Sequence, residues 1–88
     1  RDFMNINFFK DKNGNLSSTR TTFGSGDNKI SITEYADGKN GGITMYTKNS
    51  VLRVNNQGSI IGSGFRVGNR ISYIDKHGNV SNTIPSFI

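Results

Sequence analysis

The fold is decided by Gly41-Gly42-Ile43-Thr44-Met45-Tyr46-Thr47-Lys48-Asn49-Ser50-Val51-Leu52-Arg53-Val54-Asn55-Asn56-Gln57-Gly58-Ser59-Ile60-Ile61-Gly62. Two short alternating runs, residues 43–47 and 51–54, flank Lys48-Asn49-Ser50. Alternation of apolar and polar residues is the pattern of a half-buried strand. Asn55-Asn56-Gln57-Gly58 then leads into a third run, and Asn/Gly clusters between such runs are turn chemistry because both residues tolerate positive φ. The reading is a meander of short strands joined by tight reversals.

Working outward, the same grammar covers the whole chain. Met4, Ile6 and Phe8 alternate against Asn5 and Asn7, with Phe3 and Phe9 on the other face. A strand apolar on both faces is expected between neighbours. Asp11-Lys12-Asn13-Gly14-Asn15 is a turn signal. Residues 16–23, rich in Ser and Thr, read as a second strand, residues 24–28 as a reversal, and residues 29–35 as a third strand with Ile30 and Ile32 on one face. Residues 36–42, with three glycines, read as a longer loop. Gly62-Ser63-Gly64 breaks the strand pattern; Phe65 and Val67 resume it, and Gly68-Asn69 turns. Residues 71–74 and 80–84 are the last strands, separated by Asp75-Lys76-His77-Gly78-Asn79. Pro85 ends the pattern before an apolar tail, Phe87 and Ile88. No stretch has a helical period.

The turns repeat. Residues 11–19 and 75–83 match at seven of nine positions, counting one Leu/Val exchange, and Gly14, Gly38, Gly58 and Gly78 lie 24, 20 and 20 residues apart. Such a rhythm marks one supersecondary unit used several times. Units of an array contact mainly their neighbours and need something beside them to bury their apolar faces.

Composition sharpens that need. The 88 residues set a single small β-rich module over 1–88, and a start at Arg1 leads us to expect a fragment of a longer chain. Only 32% of residues are apolar, while Asn, Gly, Ser and Thr supply 12, 11, 10 and 7 positions. A chain this small buries only about 60% of its unfolded surface. No cysteine offers a disulfide, and no Cys/His cluster offers a metal; no cofactor is expected. Oligomerisation is the remaining common remedy. These residues show no signal-peptide pattern and no run of about 18 apolar residues to span a membrane. The absence of cysteine is compatible with assembly in a reducing cytoplasm and service outside the cell. The net charge of +5 favours an anionic partner, or serves solubility and blunts strand edges.

The Gly-Gly at residues 41–42, the strands Ile43-Thr44-Met45-Tyr46-Thr47 and Leu52-Arg53-Val54, the turn Asn55-Asn56-Gln57-Gly58 and the exit Gly62-Ser63-Gly64 resemble stalk segments of bacteriophage tail fibres and tailspikes. The resemblance is best over residues 41–83. It implies an all-β, intertwined homotrimer, a β-prism or triple β-helix in which each chain gives one face. It also implies a place in the virion tail and a role in host recognition. In tailspikes such as the endosialidases, stalks can carry a secondary site for capsule polysaccharide. The depolymerase active site of such a parent is expected upstream of this module, which is not itself expected to be an enzyme.

Candidate chemistry is sparse. His77, the sole histidine, occupies the turn position held by Asn13 in the repeat, so it reads as a turn residue. Asp11, Asp27, Asp37 and Asp75 lie in turn clusters, and no spacing selects a facing carboxylate pair of the kind glycoside hydrolysis needs. Gly62-Ser63-Gly64 is too short for a phosphate loop, and no helix follows. The basic residues are more informative. Arg53, Arg66 and Arg70, interleaved with Phe65 and Tyr73 and joined by Lys76, form the candidate polyanion site. Arg20, Lys29 and Lys48 add charge near turns. Three chains would carry three times +5, about +15, along a narrow rod. The alternative is that the arginines pair with neighbouring acids.

Two other classes remain. Tyr73-Ile74-Asp75-Lys76-His77-Gly78-Asn79-Val80 resembles the Tyr-Asp repeats of bacterial polymorphic toxins, which wind a β-shell around cargo, although the Arg-Tyr core of those repeats is missing. A small basic β-barrel binding nucleic acid would set aromatics beside basic residues on one sheet face. Here most aromatics precede residue 47 and most arginines follow it, which argues against nucleic acid.

Overall fold

The computed structural model describes residues 2–87, so Ile88 of the expected tail lies outside the described residues. Eight strands form one antiparallel sheet in chain order: β1 (Asp2–Lys10), β2 (Leu16–Ser25), β3 (Asn28–Tyr35), β4 (Asn40–Tyr46), β5 (Ser50–Val54), β6 (Ile60–Val67), β7 (Arg70–Asp75) and β8 (Val80–Ser81). The all-β meander is therefore present. No helix among the described residues is long and apolar enough to cross a membrane.

Turn chemistry sets this topology. Four reversals share one end of the sheet, starting at Asp11, Tyr35, Asn55 and Asp75. In each, the first residue's N–H donates to the carbonyl four residues on (2.8–3.0 Å), and its own carbonyl accepts from the glycine three residues on. Gly14, Gly38, Gly58 and Gly78 hold φ of 81, 86, 80 and 85°, a region other residues rarely enter. In three turns the first side chain completes the loop. Asp11 Oδ1 accepts from Asn13 N and Asn15 N, Asn55 Oδ1 from Gln57 N and Ser59 N, and Asp75 Oδ1 from His77 N and Asn79 N, at 2.8–3.0 Å. Tyr35 cannot do this, and Asp37 Oδ1 accepts from Lys39 N instead. At the opposite end, Gly26-Asp27 and Gly68-Asn69 make two-residue turns. Only the glycine has positive φ, 62 and 61°, which is type II′ geometry matched to strand twist.

Four local expectations are corrected. First, β1 is an edge strand, bonded to β2 alone, and Phe8 on it is 67% exposed. Its apolar residues on both faces do not mean neighbours on both sides. Second, the loop over residues 36–42 is shorter than expected, because β4 begins at Asn40. Third, Gly62-Ser63-Gly64 does not interrupt a strand but forms the middle of β6. A Cβ at Gly62 would collide with the Tyr73 hydroxyl, and one at Gly64 would lie 3.0 Å from Val51 Cγ1. These glycines make room for a neighbour. The last strand is also short: β8 holds two residues, not five.

Register sorts the side chains into two unlike faces. Met4, Phe23, Ile30, Met45, Leu52, Ser63, Ile74 and Val80 are successive cross-strand partners, one row running across all eight strands. A parallel row holds Ile6, Thr21, Ile32, Ile43 and Val54. On the opposite face run Asn5, Thr22, Ser31, Thr44, Arg53 and Gly62. The large buried side chains lie on this second face: Tyr73 at 1% exposure and Val51 at 5%, with Arg53 at 7%. Residues 84–87 cross it as a strap.

If the glycines of β6 serve as room for Tyr73, Gly62→Ala will cost about 1–3 kcal/mol by overpacking. Chemical denaturation of the variant beside the parent chain checks this.

Candidate functional site

The polar face is built around a stack. Arg53 Nη1 donates to the Tyr73 hydroxyl oxygen at 3.0 Å, and the Phe87 ring lies 4.2 Å from the guanidinium carbon. Phe87 can sit there because Gly42 beneath it has no side chain. The strap is pinned twice more: Tyr35 donates its hydroxyl to Phe87 O (3.1 Å), and Arg20 Nη2 donates to Ser86 Oγ (3.0 Å). Arg53 Nε finds no hydrogen-bond partner among the described residues. A buried cation without a carboxylate partner is costly, and here the Phe87 and Tyr73 rings offset part of the cost by cation–π attraction.

The five residues expected to hold a polyanion therefore separate. Arg53 and Tyr73 come together but inside, beneath the strap, where a surface polyanion does not reach them. Their pairing supplies internal structure, because an arginine opposite glycine on a sheet can lie flat and fill the gap. Arg66 reaches the polar face, while Arg70 pairs across the turn with Val67 on the other face. Lys76 lies in the Asp75 turn at the far end of the sheet. No ion pair with a carboxylate engages these cations among the described residues, so the acid-pairing alternative is not what is observed.

Two adjoining grooves flank the strap. One, about 230 Å³, is lined by Lys29, Lys48 and Arg66, with Tyr46, Val51 and Asp27. The other, about 280 Å³, is lined by Arg20 and Lys29 with Thr22 and Ser31 and, more deeply buried, Thr33 and Thr44. They share Lys29, Tyr46 and Ile84. Lys29 Nζ lies 4.6 Å from the Tyr46 ring centre, held there by cation–π attraction because the two residues are cross-strand partners. Spacing along the chain does not reveal this cluster; the register of β3 on β4 does. Among the described residues no group of three or more His, Cys, Asp or Glu could hold a metal ion.

His77 stays a turn residue, its N–H donating to Asp75. The Asp75 carboxyl is held below its ordinary pKa chiefly by the Asn79 N–H, which outweighs the opposing effect of burial, with further help from the His77 N–H and the Asn79 side chain. Comparison with protein families, with curated proteins and with solved structures finds no match to this chain.

Two predictions follow from this geometry. Phe87→Ala will free the strap and uncover Arg53, at a cost of about 1–3 kcal/mol measured by thermal unfolding, below the usual range for a full core Phe→Ala since Phe87 is half-buried. A depressed carboxyl stabilises the fold above the ordinary Asp range, near about 4, and that stability is lost as pH falls through the lower folded-state value. Asp75→Asn keeps an acceptor, as Asn55 does in its own turn, and will flatten the decline in melting temperature below pH about 4.

Proposed function

We propose that this chain is a structural module that works by assembly. It is a stalk or tip segment of a phage tail fibre or tailspike, in which three copies close their apolar faces on one another and present the polar faces to a host surface. The observation that supports this is the uncovered apolar row. Met4, Phe65 and Ile74 on that face are 60, 63 and 46% exposed, and the strap covers only the other face. Monomeric soluble proteins rarely leave a contiguous apolar patch of more than a few hundred Å² open. Identical copies are the simplest partner, because a face of Ile, Phe, Met and Val residues is self-complementary and carries little charge to oppose association. On this reading the module is not an enzyme, and it acts outside the host cell as part of the virion.

One observation favours a second reading. The four equivalent turns at one end of an unbroken sheet make the chain a hairpin array, as expected of a β-shell wall like that of Tyr-Asp-repeat toxins. In that case the apolar face packs on further wall or cargo rather than on two copies.

Light scattering across dilution separates the two. The trimeric stalk gives a mass three times 9.7 kDa that survives dilution, and Ile30→Lys in the centre of the apolar row reduces it to monomer. A soluble monomer of the parent chain would overturn the trimer.

A further inference from the structure

We infer that β1 is a self-complementary edge, and that two copies of this chain join β1 to β1, antiparallel, in a register centred on Ile6. The inference rests on neither assembly reading above, because it uses the backbone at the sheet's edge and not burial of the apolar face.

The two edges of the sheet are unlike. β8 holds two residues, after which the chain leaves the sheet and reaches Pro85. β1 holds nine, with no glycine or proline, and every residue but Phe9 is exposed. Charge, proline and bulges are the usual guards of an open edge. On β1 the charges, Asp2 and Lys10, stand only at the ends, and the one irregularity of pairing lies at Phe9/Lys10. Residues 3–9 carry no charge.

Hairpin geometry fixes which backbone groups face outward. Ser25 and Asn28 flank the two-residue turn at Gly26-Asp27, so they form a hydrogen-bonded pair. Gly24, Thr22, Arg20 and Ser18 then bond toward β1, where their partners are Phe3, Asn5, Asn7 and Phe9. The N–H and C=O groups of Met4, Ile6 and Phe8 therefore point away from β2, where the sheet has no further strand.

The sequence of β1 matches itself when reversed. Around Ile6, Asn5 meets Asn7, Met4 meets Phe8, Phe3 meets Phe9, and Asp2 meets Lys10. This register pairs all nine residues and sets opposite charges face to face at both ends. Its hydrogen-bonded pairs are Ile6 with Ile6 and Met4 with Phe8, the residues whose backbone groups point outward. A slip of one residue would set outward groups against inward ones, and a slip of two would part Asp2 from Lys10 and leave a strand end unpaired. The row of Ile6, Thr21, Ile32 and Ile43 would continue across the joint into the same row of the copy. Each β1 is used up in the pair, so the contact closes at two copies and does not propagate. A foreign strand would match the backbone but not the two charged ends.

The test is cysteine cross-linking of the full 88-residue chain, which has no cysteine of its own. In the centred register the two Ile6 Cα atoms lie about 5.5 Å apart, within disulfide reach, whereas the two Met4 or the two Phe8 positions lie about 14 Å apart along the strands. All three residues are exposed, so the variants keep the fold. A single strand pair is a small interface, so it should be populated at about 1 mM chain and dissociate near about 10 µM, which leaves the dilution measurement to report on the apolar face. At the higher concentration, Ile6→Cys should give a covalent dimer about ten-fold faster than Met4→Cys or Phe8→Cys alone, and a mixture of the last two should give chiefly the mixed dimer. Lys10→Asp should slow cross-linking of Ile6→Cys by about five-fold, and adding Asp2→Lys should restore it. Cross-linking should persist beside Ile30→Lys, which disrupts contact through the apolar faces. Equal rates for the three single variants, no rescue by the double charge reversal, or loss of cross-linking beside Ile30→Lys would each overturn the edge pairing. A monomer by light scattering with Ile6→Cys cross-linking intact would overturn the trimer and uphold the edge.

Discussion

A single sheet has two faces, and a chain of this length has material to cover only one of them. The strap of residues 84–87 is that cover, and it is fastened where Phe87 meets Arg53 over Gly42. That contact decides which face is internal. With Phe87 in place, Tyr73, Arg53 and Val51 become a small core on the polar side, and the apolar side stays exposed. The usual arrangement, an apolar core beneath a polar exterior, is thus reversed within one protomer. The apolar row lies open, while hydroxyls, glycines and one buried arginine fill the space beneath the strap.

Glycine makes this possible. Gly62, Gly64 and Gly42 lie where aromatic and branched side chains cross the sheet from neighbouring strands or from the strap. Such positions lose strand stability through backbone entropy, which the packing of Tyr73 and Phe87 offsets. Other glycines serve at the ends, where positive φ closes the four equivalent turns. The two uses explain how one residue type is both punctuation and floor in this chain.

Much of the fold was legible in the sequence because strand alternation and turn chemistry are local. The Asp-x-x-Gly-Asn signals at Asp11 and Asp75, and their relative at Asn55, were readable one turn at a time. Gly62-Ser63-Gly64 was misread because a glycine that turns the chain and a glycine that admits a neighbour look alike until the neighbour, Tyr73, is placed. The candidate site was half legible. Basic residues were visible, but Arg53 and Arg66, thirteen positions apart in sequence, differ in kind: one lies under a ring, the other lines a groove. Lys29 and Tyr46 meet only because β3 pairs with β4 in one register.

By itself the sequence determined the strand class, the sites of reversal, the repeating hairpin and the shortage of apolar material. These follow from period-two alternation and from the conformational freedom of Gly and Asn, which act over a few residues. Only the tertiary structure decided which face the strap covers, which cations are buried and which line the groove. Register across strands and the docking of residues 84–87 bring together groups tens of positions apart, and no local pattern encodes that.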